Sequence, residues 1–315
     1  MDLKNLNILV TGGAGYIGSI LVPKLLNLGS KVTVLDNFLF NQQSLMFCFK
    51  NKNFNIIKGD CRDRKILNSI VKDFDLIIPL AALVGMPSCN INPQDAKSIN
   101  TNSIKNLTQI LSKNQLMIIP NTNSGYGIGK DDIQCDENTD LRPLSLYGKT
   151  KVEAEKIAMN RNNSCSLRLA TVFGVSPRMR MDLLVNDFVW RAFKDKVVVL
   201  FEAHFMRNFI HIDDVADTFI FIIKNWNKSK NQIFNVGLSK ANLSKKDLCQ
   251  IIKKYLNNFV FLESELAKDE DKRNYIVSNQ KLEKLGWNPK KNISDGIEEL
   301  LKFYSTIPQV PLGNV

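Results

Sequence analysis

The sequence predicts an α/β protein built on a doubly wound parallel sheet, and three observations carry that prediction. Short apolar runs alternate with helical patterns over the first two thirds of the 315 residues. Those runs are continuously apolar, the pattern of strands covered on both faces. The first run ends in a glycine-rich turn that opens directly into a helical stretch.

The expected strands are Leu6–Val10, Lys31–Leu35, Phe54–Lys58, Asp75–Pro79, Leu116–Pro120 and Ser164–Leu169. The first connecting helix is expected over Tyr16–Leu28, with Ile17, Ile20, Leu21, Leu25 and Leu28 on one face. Pro23 should bend it beyond its first turn. After about residue 175 the rhythm changes. A helix over Asp182–Lys194 and a strand over Val197–Phe201 lead to Arg207–His211 and a second helix near Asp213–Asn225. Ile233–Val236 should return to the first sheet, Leu243–Tyr304 is mainly helical in pattern, and Pro308–Val315 should form an irregular strap. The organisation is thus a first domain over 1–175, rejoined by 208–237, and a smaller, mainly helical lobe made of 176–207 and 238–315.

With 44% hydrophobic and 23% charged residues the chain can bury a sizeable core, which excludes a disordered protein. Lysine and arginine number 42 against 31 acids, a net charge of +11 that suits a phosphate-bearing partner, polymer or nucleotide. The basic residues form no block, so most of the excess belongs on solvated surface and no nucleic-acid partner is expected. Six cysteines are scattered without a C-x-x-C pair, which fits a reducing compartment and neither a disulfide framework nor a zinc site. With only His204 and His211 a three-histidine metal centre is excluded, and no metal is expected. No apolar run approaches the roughly 18 residues that cross a bilayer. The N-terminus leads straight into the glycine turn rather than through a signal peptide, so a cytoplasmic protein without a membrane partner is expected.

That turn is Thr11-Gly12-Gly13-Ala14-Gly15-Tyr16-Ile17-Gly18. Glycines between a strand and a helix allow a tight turn, close approach of backbone to a pyrophosphate, and close helix–strand packing. The phosphates then face the positive end of the helix. Gly12, Gly15, Tyr16, Ile17 and Gly18 are therefore candidate cofactor residues of a Rossmann-type fold. Asp36 ends the second strand, where a carboxylate accepts from adenosine ribose hydroxyls and repels a 2′-phosphate, so NAD is expected rather than NADP. Asn37 beside it is placed at the same end. Asp60, with Cys61 next to it, follows the third strand where adenine would lie. Asp60 either accepts from the adenine amino group or caps the helix beginning near Asp63.

Tyr147 and Lys151 stand at i and i+4 on a helical pattern continuing through Ala154, Ile157 and Ala158, so both project from one face. A phenol has a reference pKa near 10 and becomes a base at neutral pH only where a cation favours its anion. Lys151 is expected to supply that cation. Tyr126 and Lys130 share the spacing, but Gly125, Gly127 and Gly129 cannot hold a regular helix there. The fifth strand exits through Thr122-Asn123-Ser124, whose side chains should face a cleft at the carboxyl ends of the strands.

In combination, Thr11–Gly18, Asp36, the Ala81-Ala82 pair, Asn100, Thr122…Tyr126-Gly127 and Tyr147…Lys151 resemble the extended short-chain dehydrogenase/reductases that act on nucleotide sugars. The resemblance implies an NAD-binding first domain and a nucleotide-sugar-binding lobe. It implies a GDP- or UDP-linked sugar as substrate and a homodimer or higher homo-oligomer. Thr122, Tyr147 and Lys151 are the implied catalytic residues. Ala81 and Ala82 line the cofactor, Asn100 stands near its nicotinamide end, and Lys151 also holds the nicotinamide ribose. Ser124 contacts substrate, and Thr171 replaces the asparagine of the family's R-x-x-N segment. Arg207, in Arg207-Asn208-Phe209-Ile210-His211, and Arg273 take the positions of diphosphate-binding arginines, a role that suits a guanidinium fork. Arg180 and Asn186 are further substrate candidates, although the residues themselves give Asn186 no role.

The implied reaction is oxidation of the sugar at C4. A 4,6-dehydratase needs an Asp-Glu pair after the catalytic threonine, and Asn123 and Ser124 stand there instead. The segments Ala81–Gly85, Asp182–Phe188 and Val199–Glu202 resemble a subgroup near the GDP-heptose 4-dehydrogenases of bacterial capsule synthesis, which favours a 4-dehydrogenase, with an NAD-retaining 4-epimerase as the alternative. A non-catalytic binding protein of the same fold is the remaining possibility, and the intact Thr122, Tyr147 and Lys151 argue against it.

Overall fold

The computed structural model describes residues 1–129, 134–266 and 273–306. The strap expected at Pro308–Val315 and the residue Lys130 lie outside the described residues. The strands are β1 (Asn7–Thr11), β2 (Lys31–Asp36), β3 (Phe54–Lys58), β4 (Leu76–Pro79), β5 (Leu116–Thr122), β6 (Gln134–Cys135) and β7 (Ser164–Leu169). They continue with β8 (Thr171–Phe173), β9 (Val197–Leu200), β10 (Met206–His211), β11 (Ile233–Val236), β12 (Asn242–Ser244), β13 (Val260–Glu263) and β14 (Ile276–Val277). The helices begin with α1 (Gly18–Asn27), α2 (Arg64–Ile70), α3 (Met86–Ile91), α4 (Pro93–Lys97), α5 (Ser103–Ile110) and α6 (Leu146–Met159). They end with α7 (Leu184–Lys194), α8 (Ile212–Lys224), α9 (Trp226–Ser229), α10 (Lys245–Lys253), α11 (Gln280–Lys284) and α12 (Ile293–Thr306).

Seven strands form one parallel sheet in the order β11-β7-β5-β4-β1-β2-β3. Ile233–Val236 does return to it, pairing with β7. The central strands are apolar throughout because helices cover both faces. Ile8, Leu9 and Val10 are fully buried, and they belong alternately to the cores on the two sides. Each such side chain contributes about 1.5–3 kcal/mol of transfer free energy.

The helix expected at Tyr16 begins at Gly18, because the glycine turn takes the intervening residues, and it runs through Pro23 to Asn27. Between α4 and α5 the backbone widens into a single π turn at Ser98–Asn102. Such turns are rare, and they reorient a side chain relative to the regular helix.

The remainder of the chain packs α7, α10 and α12 around a second core that includes Val185, Phe188, Leu248, Ile297 and Leu300. Short strands join these helices: β12-β10-β8 form one small sheet, β13-β9 another and β14-β6 a third. Of these strands only β9, expected over Val197–Phe201, announces itself in the sequence by an apolar run. Among the described residues no helix is long and apolar enough to cross a membrane.

Candidate active site

The order of the main sheet reverses between β1 and β4, and a crevice opens there at the carboxyl ends of the strands. It is a cavity of about 590 Å³. The glycine turn forms one wall because nothing larger fits. Gly12 has a φ of +70°, and a Cβ on it would lie 2.5 Å from the Ala81 nitrogen at the exit of β4. A Cβ on Gly18 would lie 2.3 Å from the Gly13 carbonyl, so α1 starts directly against the turn.

Asp36 holds this turn from the side. Its Oδ2 accepts from the Ala14 N–H at 3.0 Å and its Oδ1 from the Phe38 N–H at 2.9 Å. Burial raises its carboxyl pKa, and these N–H donors oppose the rise. Asp36, Asn37, Asp60 and Cys61 all line this end of the cavity. Asp63 caps α2, accepting from Lys65 and Ile66, so capping is not the role of Asp60. Asp60 instead pairs with Arg62 at 2.7 Å, which holds its carboxyl below the usual range.

Tyr16 lines the cavity but spends its hydroxyl elsewhere. It donates to the Gly174 carbonyl at 2.7 Å, tying the glycine turn to the segment after β8. Gly15, Ile17, Ala81 and Ala82 also line the wall. Asn100 does not, contrary to its expected contact with a cofactor. The π turn places it behind the wall, where its Oδ1 accepts from Leu83 N at 2.8 Å and its Nδ2 donates to Leu83 O at 2.9 Å and Thr150 Oγ1 at 3.1 Å. It shapes the β4 exit loop against α6. Asn186 is likewise fully buried outside the cavity, donating to the Arg180 carbonyl at 2.8 Å and accepting from Gly174 N at 3.1 Å. It is a support of the lining and not a substrate contact.

At the centre, β5 delivers Thr122 and the turn after it Ser124, while α6 delivers Tyr147 and Lys151, and all four residues line the cavity. Ser145 caps α6 by accepting from Gly148 N at 3.1 Å, which starts the helix immediately before Tyr147. Thr122 Oγ1 lies 2.9 Å from Ser124 Oγ, and Thr122 and the Tyr147 phenol line the same cavity. Burial pushes that phenol up to about 12, opposed first by the guanidiniums of Arg180 and Arg273. Both arginines are brought by distant segments, and Lys151 lines the same cavity one helical turn from Tyr147. Burial pulls the Lys151 ammonium down to about 8, and Glu155 opposes that fall.

Tyr126 faces away from this chemistry. Its hydroxyl accepts from Arg168 at 3.0 Å and donates to Asn235 at 2.7 Å, within a buried network centred on the Arg168–Glu155 pair.

The cavity is also lined by cations: Arg178, Arg180, Arg207, Lys245 and Arg273 line it together with Asp182, Asp187 and Thr171. Arg180 Nε donates to Asp182 at 3.1 Å, Arg178 lies 4.5 Å from the centre of the Phe40 ring, and Arg207 lies 5.9 Å from that of Tyr275. Lys245 donates to the Phe201 carbonyl at 2.7 Å. Arg178 and Lys245 stand in no motif of the sequence, Asp182 was marked there only as part of the segment Asp182–Phe188, and contacts between distant segments make all three part of the site.

A parallel sheet with a glycine turn over its switch point, a carboxylate at the end of β2 and a Tyr–Lys pair across the cavity define a dinucleotide-dependent enzyme of the Rossmann class. This chain belongs to the NAD-dependent epimerase/dehydratase family, whose pattern matches residues 8–237. It is similar to UDP-glucuronic acid decarboxylase 1 of Arabidopsis thaliana, 28% identical over 96% of this chain and 70% of that one. Among solved structures it is similar to a UDP-glucuronic acid 4-epimerase variant of Bacillus cereus, with a TM-score of 0.83 and 25% identity over 95% and 99% of the two chains. It also shares the fold of the UDP-N-acetylglucosamine 4-epimerase of Methanobrevibacter ruminantium, with a TM-score of 0.84 and 23% identity over 96% and 100%.

The cofactor is NAD, and the cavity fits it. Gly12 and Gly15 leave room for backbone to meet a pyrophosphate, Asp36 and Asn37 would hold the adenosine ribose, and Tyr147 and Lys151 stand at the opposite end. When bound, NAD supplies the hydride chemistry.

Proposed function

We propose that this chain is a nucleotide-sugar 4-epimerase, oxidising the sugar transiently at C4 and releasing it with that centre inverted. The observation that carries this reading is the joint placement of Thr122, Tyr147 and Lys151 in one cavity that Arg207 and further cations also line. Arg207 and its basic neighbours would bind the diphosphate and so orient the sugar toward Tyr147. Tyr147 takes the proton of the 4-hydroxyl, Thr122 hydrogen-bonds the same oxygen, and Lys151 holds the nicotinamide ribose. Asn123 and Ser124 following Thr122 offer no acid–base pair for elimination, which argues against dehydration. UDP-linked substrates in the named relatives support a nucleotide-diphosphate sugar.

A second reading, a GDP-heptose-type 4-dehydrogenase in capsule precursor synthesis, is favoured by the segment Asp182–Phe188, which contributes Asp182, Leu183, Leu184 and Asp187 to the cavity lining. Mass spectrometry of UDP- and GDP-sugars incubated with the protein and NAD separates the two. Unchanged mass with a new chromatographic peak supports the epimerase, and a product two hydrogens lighter supports the dehydrogenase. Tyr147→Phe should lower turnover by roughly a thousandfold or more with NAD still bound, within the range that general acid–base groups contribute. Full activity in that variant would refute both readings.

A further inference from the structure

Between β2 and β3 the chain turns through a short 3₁₀ helix over Met46–Lys50. Such a helix repeats every three residues, so side chains at i and i+3 fall in one row. Leu45 and Cys48 form the inner row, both buried in the core that includes Leu21 and Leu25 of α1. Met46 and Phe49 form a second row, Phe47 and Lys50 a third, and all four are exposed. Met46 is 55% exposed, Phe47 78% and Phe49 65%. Phe49 sets its ring edge-on to Phe54 at 5.3 Å, and β3, which carries Phe54, is the last strand of the main sheet. A group of large apolar side chains left in water marks a contact surface. The charge around it has one sign. Residues 37–59 contain no aspartate or glutamate, and both Lys50 and Lys52 are exposed. Lys31 is exposed next to them, because the Val32 N–H donates to the Asn53 carbonyl at 2.9 Å.

We propose that the turn over Met46–Lys50 docks on an anionic lipid bilayer, with Met46, Phe47 and Phe49 entering the interface and Lys50 and Lys52 meeting headgroup phosphates. The two chemistries of the turn match the two layers of such a surface. Apolar side chains enter the boundary beneath the headgroups, and each lysine near anionic lipid adds its own attraction. Leu45 and Cys48 root the turn in the core, so the outward side chains are held in place before contact. A second copy of this chain suits the patch less well. Two-fold pairing sets a patch against itself, and Lys50 and Lys52 would then face their own counterparts. The contact is peripheral and weak, because a few side chains bury little apolar area. It needs no crossing helix, and it departs from the expectation of a protein without a membrane partner. It is independent of the reaction proposed for the cavity.

The test is co-sedimentation of the NAD-loaded protein with vesicles of phosphatidylcholine, pure or containing about one third phosphatidylglycerol. The wild type should partition onto the anionic vesicles about tenfold or more above the neutral ones, and about 1 M salt should release it. Phe47→Ser with Phe49→Ser should lower that partition about tenfold or more. Lys50→Glu with Lys52→Glu should lower it about fivefold or more for each lysine lost. Lys253→Glu with Lys254→Glu, at the exposed end of α10 in the second lobe, changes net charge equally and should leave partition within about twofold. Unaltered NAD affinity shows each variant to be folded, and Phe47→Ser alone keeps the test available where the double change does not fold. No binding of the wild type to anionic vesicles, or full binding by a folded phenylalanine variant, overturns the proposal. An equal loss in the α10 variant also overturns it, since net charge would then explain the binding. A wild-type dimer that the phenylalanine change splits, without vesicle binding, overturns it too and assigns the face to a second copy.

Discussion

Asp36 joins the shape of the glycine turn to the choice of cofactor. Its carboxylate fixes Ala14 and Phe38 through their N–H groups while lining the adenosine end of the cavity. Asp36→Ala removes both effects and should weaken NAD about tenfold or more while narrowing the preference over NADP. Asp36→Asn keeps one acceptor oxygen, enough for the Ala14 or the Phe38 bond but not both, and loses the repulsion of a 2′-phosphate. Fluorescence titration with both cofactors checks this, and an unaltered NAD-to-NADP ratio in both variants would sink the assignment. Lys151 gives a pH dependence. Burial lowers its pKa to about 8, so the ammonium is present below that pH and lost above it. Turnover should therefore fall as pH rises through about 8, and Lys151→Arg, which stays charged, should remove that limb. A limb that persists in Lys151→Arg belongs to another group.

At the scale of elements, α6 carries a polar stripe where an apolar one is usual. Tyr147 and Lys151 face the cavity, while Glu155 points back into the sheet. There it meets Arg168 of β7 at 2.8 Å, Ser166 at 2.6 Å and Asn121 of β5 at 2.7 Å. This pair is almost completely buried, and each charge depends on the other because neither reaches water. Arg168→Met leaves Glu155 uncompensated and should cost about 3–5 kcal/mol. The joint change of Arg168→Met with Glu155→Leu should cost less. Urea denaturation measures both, and a loss under about 1 kcal/mol for the single change would show that the pair does not hold α6 to the sheet. The sequence displayed Tyr147 and Lys151 at helical spacing, yet Glu155 continues the same spacing and is legible as structural only once β5 and β7 are seen behind it.

At the scale of the molecule, segments distant in the chain meet at close approaches. Gly237, at the end of β11, is one of them. A Cβ there would lie 1.7 Å from Asn208 Oδ1 and 2.8 Å from Asn279 Oδ1. Asn208 is the neighbour of Arg207 on β10, and it donates to the Leu238 carbonyl at 2.9 Å. Gly237→Ala must therefore displace the Asn208 side chain from its bond to Leu238 and so disturb Arg207 beside it, while leaving the glycine turn in place. UDP affinity should fall by at least tenfold with NAD affinity within about threefold of the wild type, as calorimetry would show. Equal losses of both would mean that the substitution unfolds the seam as a whole. The elements on either side of this seam were largely visible in the sequence, since long apolar strands and helices announce themselves by period. The short strands β8, β10, β12 and β14, which align the seam, were not.

The sequence by itself determined the parallel sheet, the glycine turn with Asp36, and the presence of Thr122, Tyr147 and Lys151. These are local patterns, each set by the steric needs of a strand, a turn or one helix face. Only the tertiary structure decided which cations face Tyr147, that Asn100 and Asn186 support the cavity from behind, and that Arg178, Asp182 and Lys245 belong to it. Those placements depend on segments far apart in the chain, such as Tyr16 and Gly174 at a separation of 158 residues or Ser124 and Arg273 at 149. Their geometry is fixed by packing between segments distant in the chain, which leaves no periodic trace in the residues themselves.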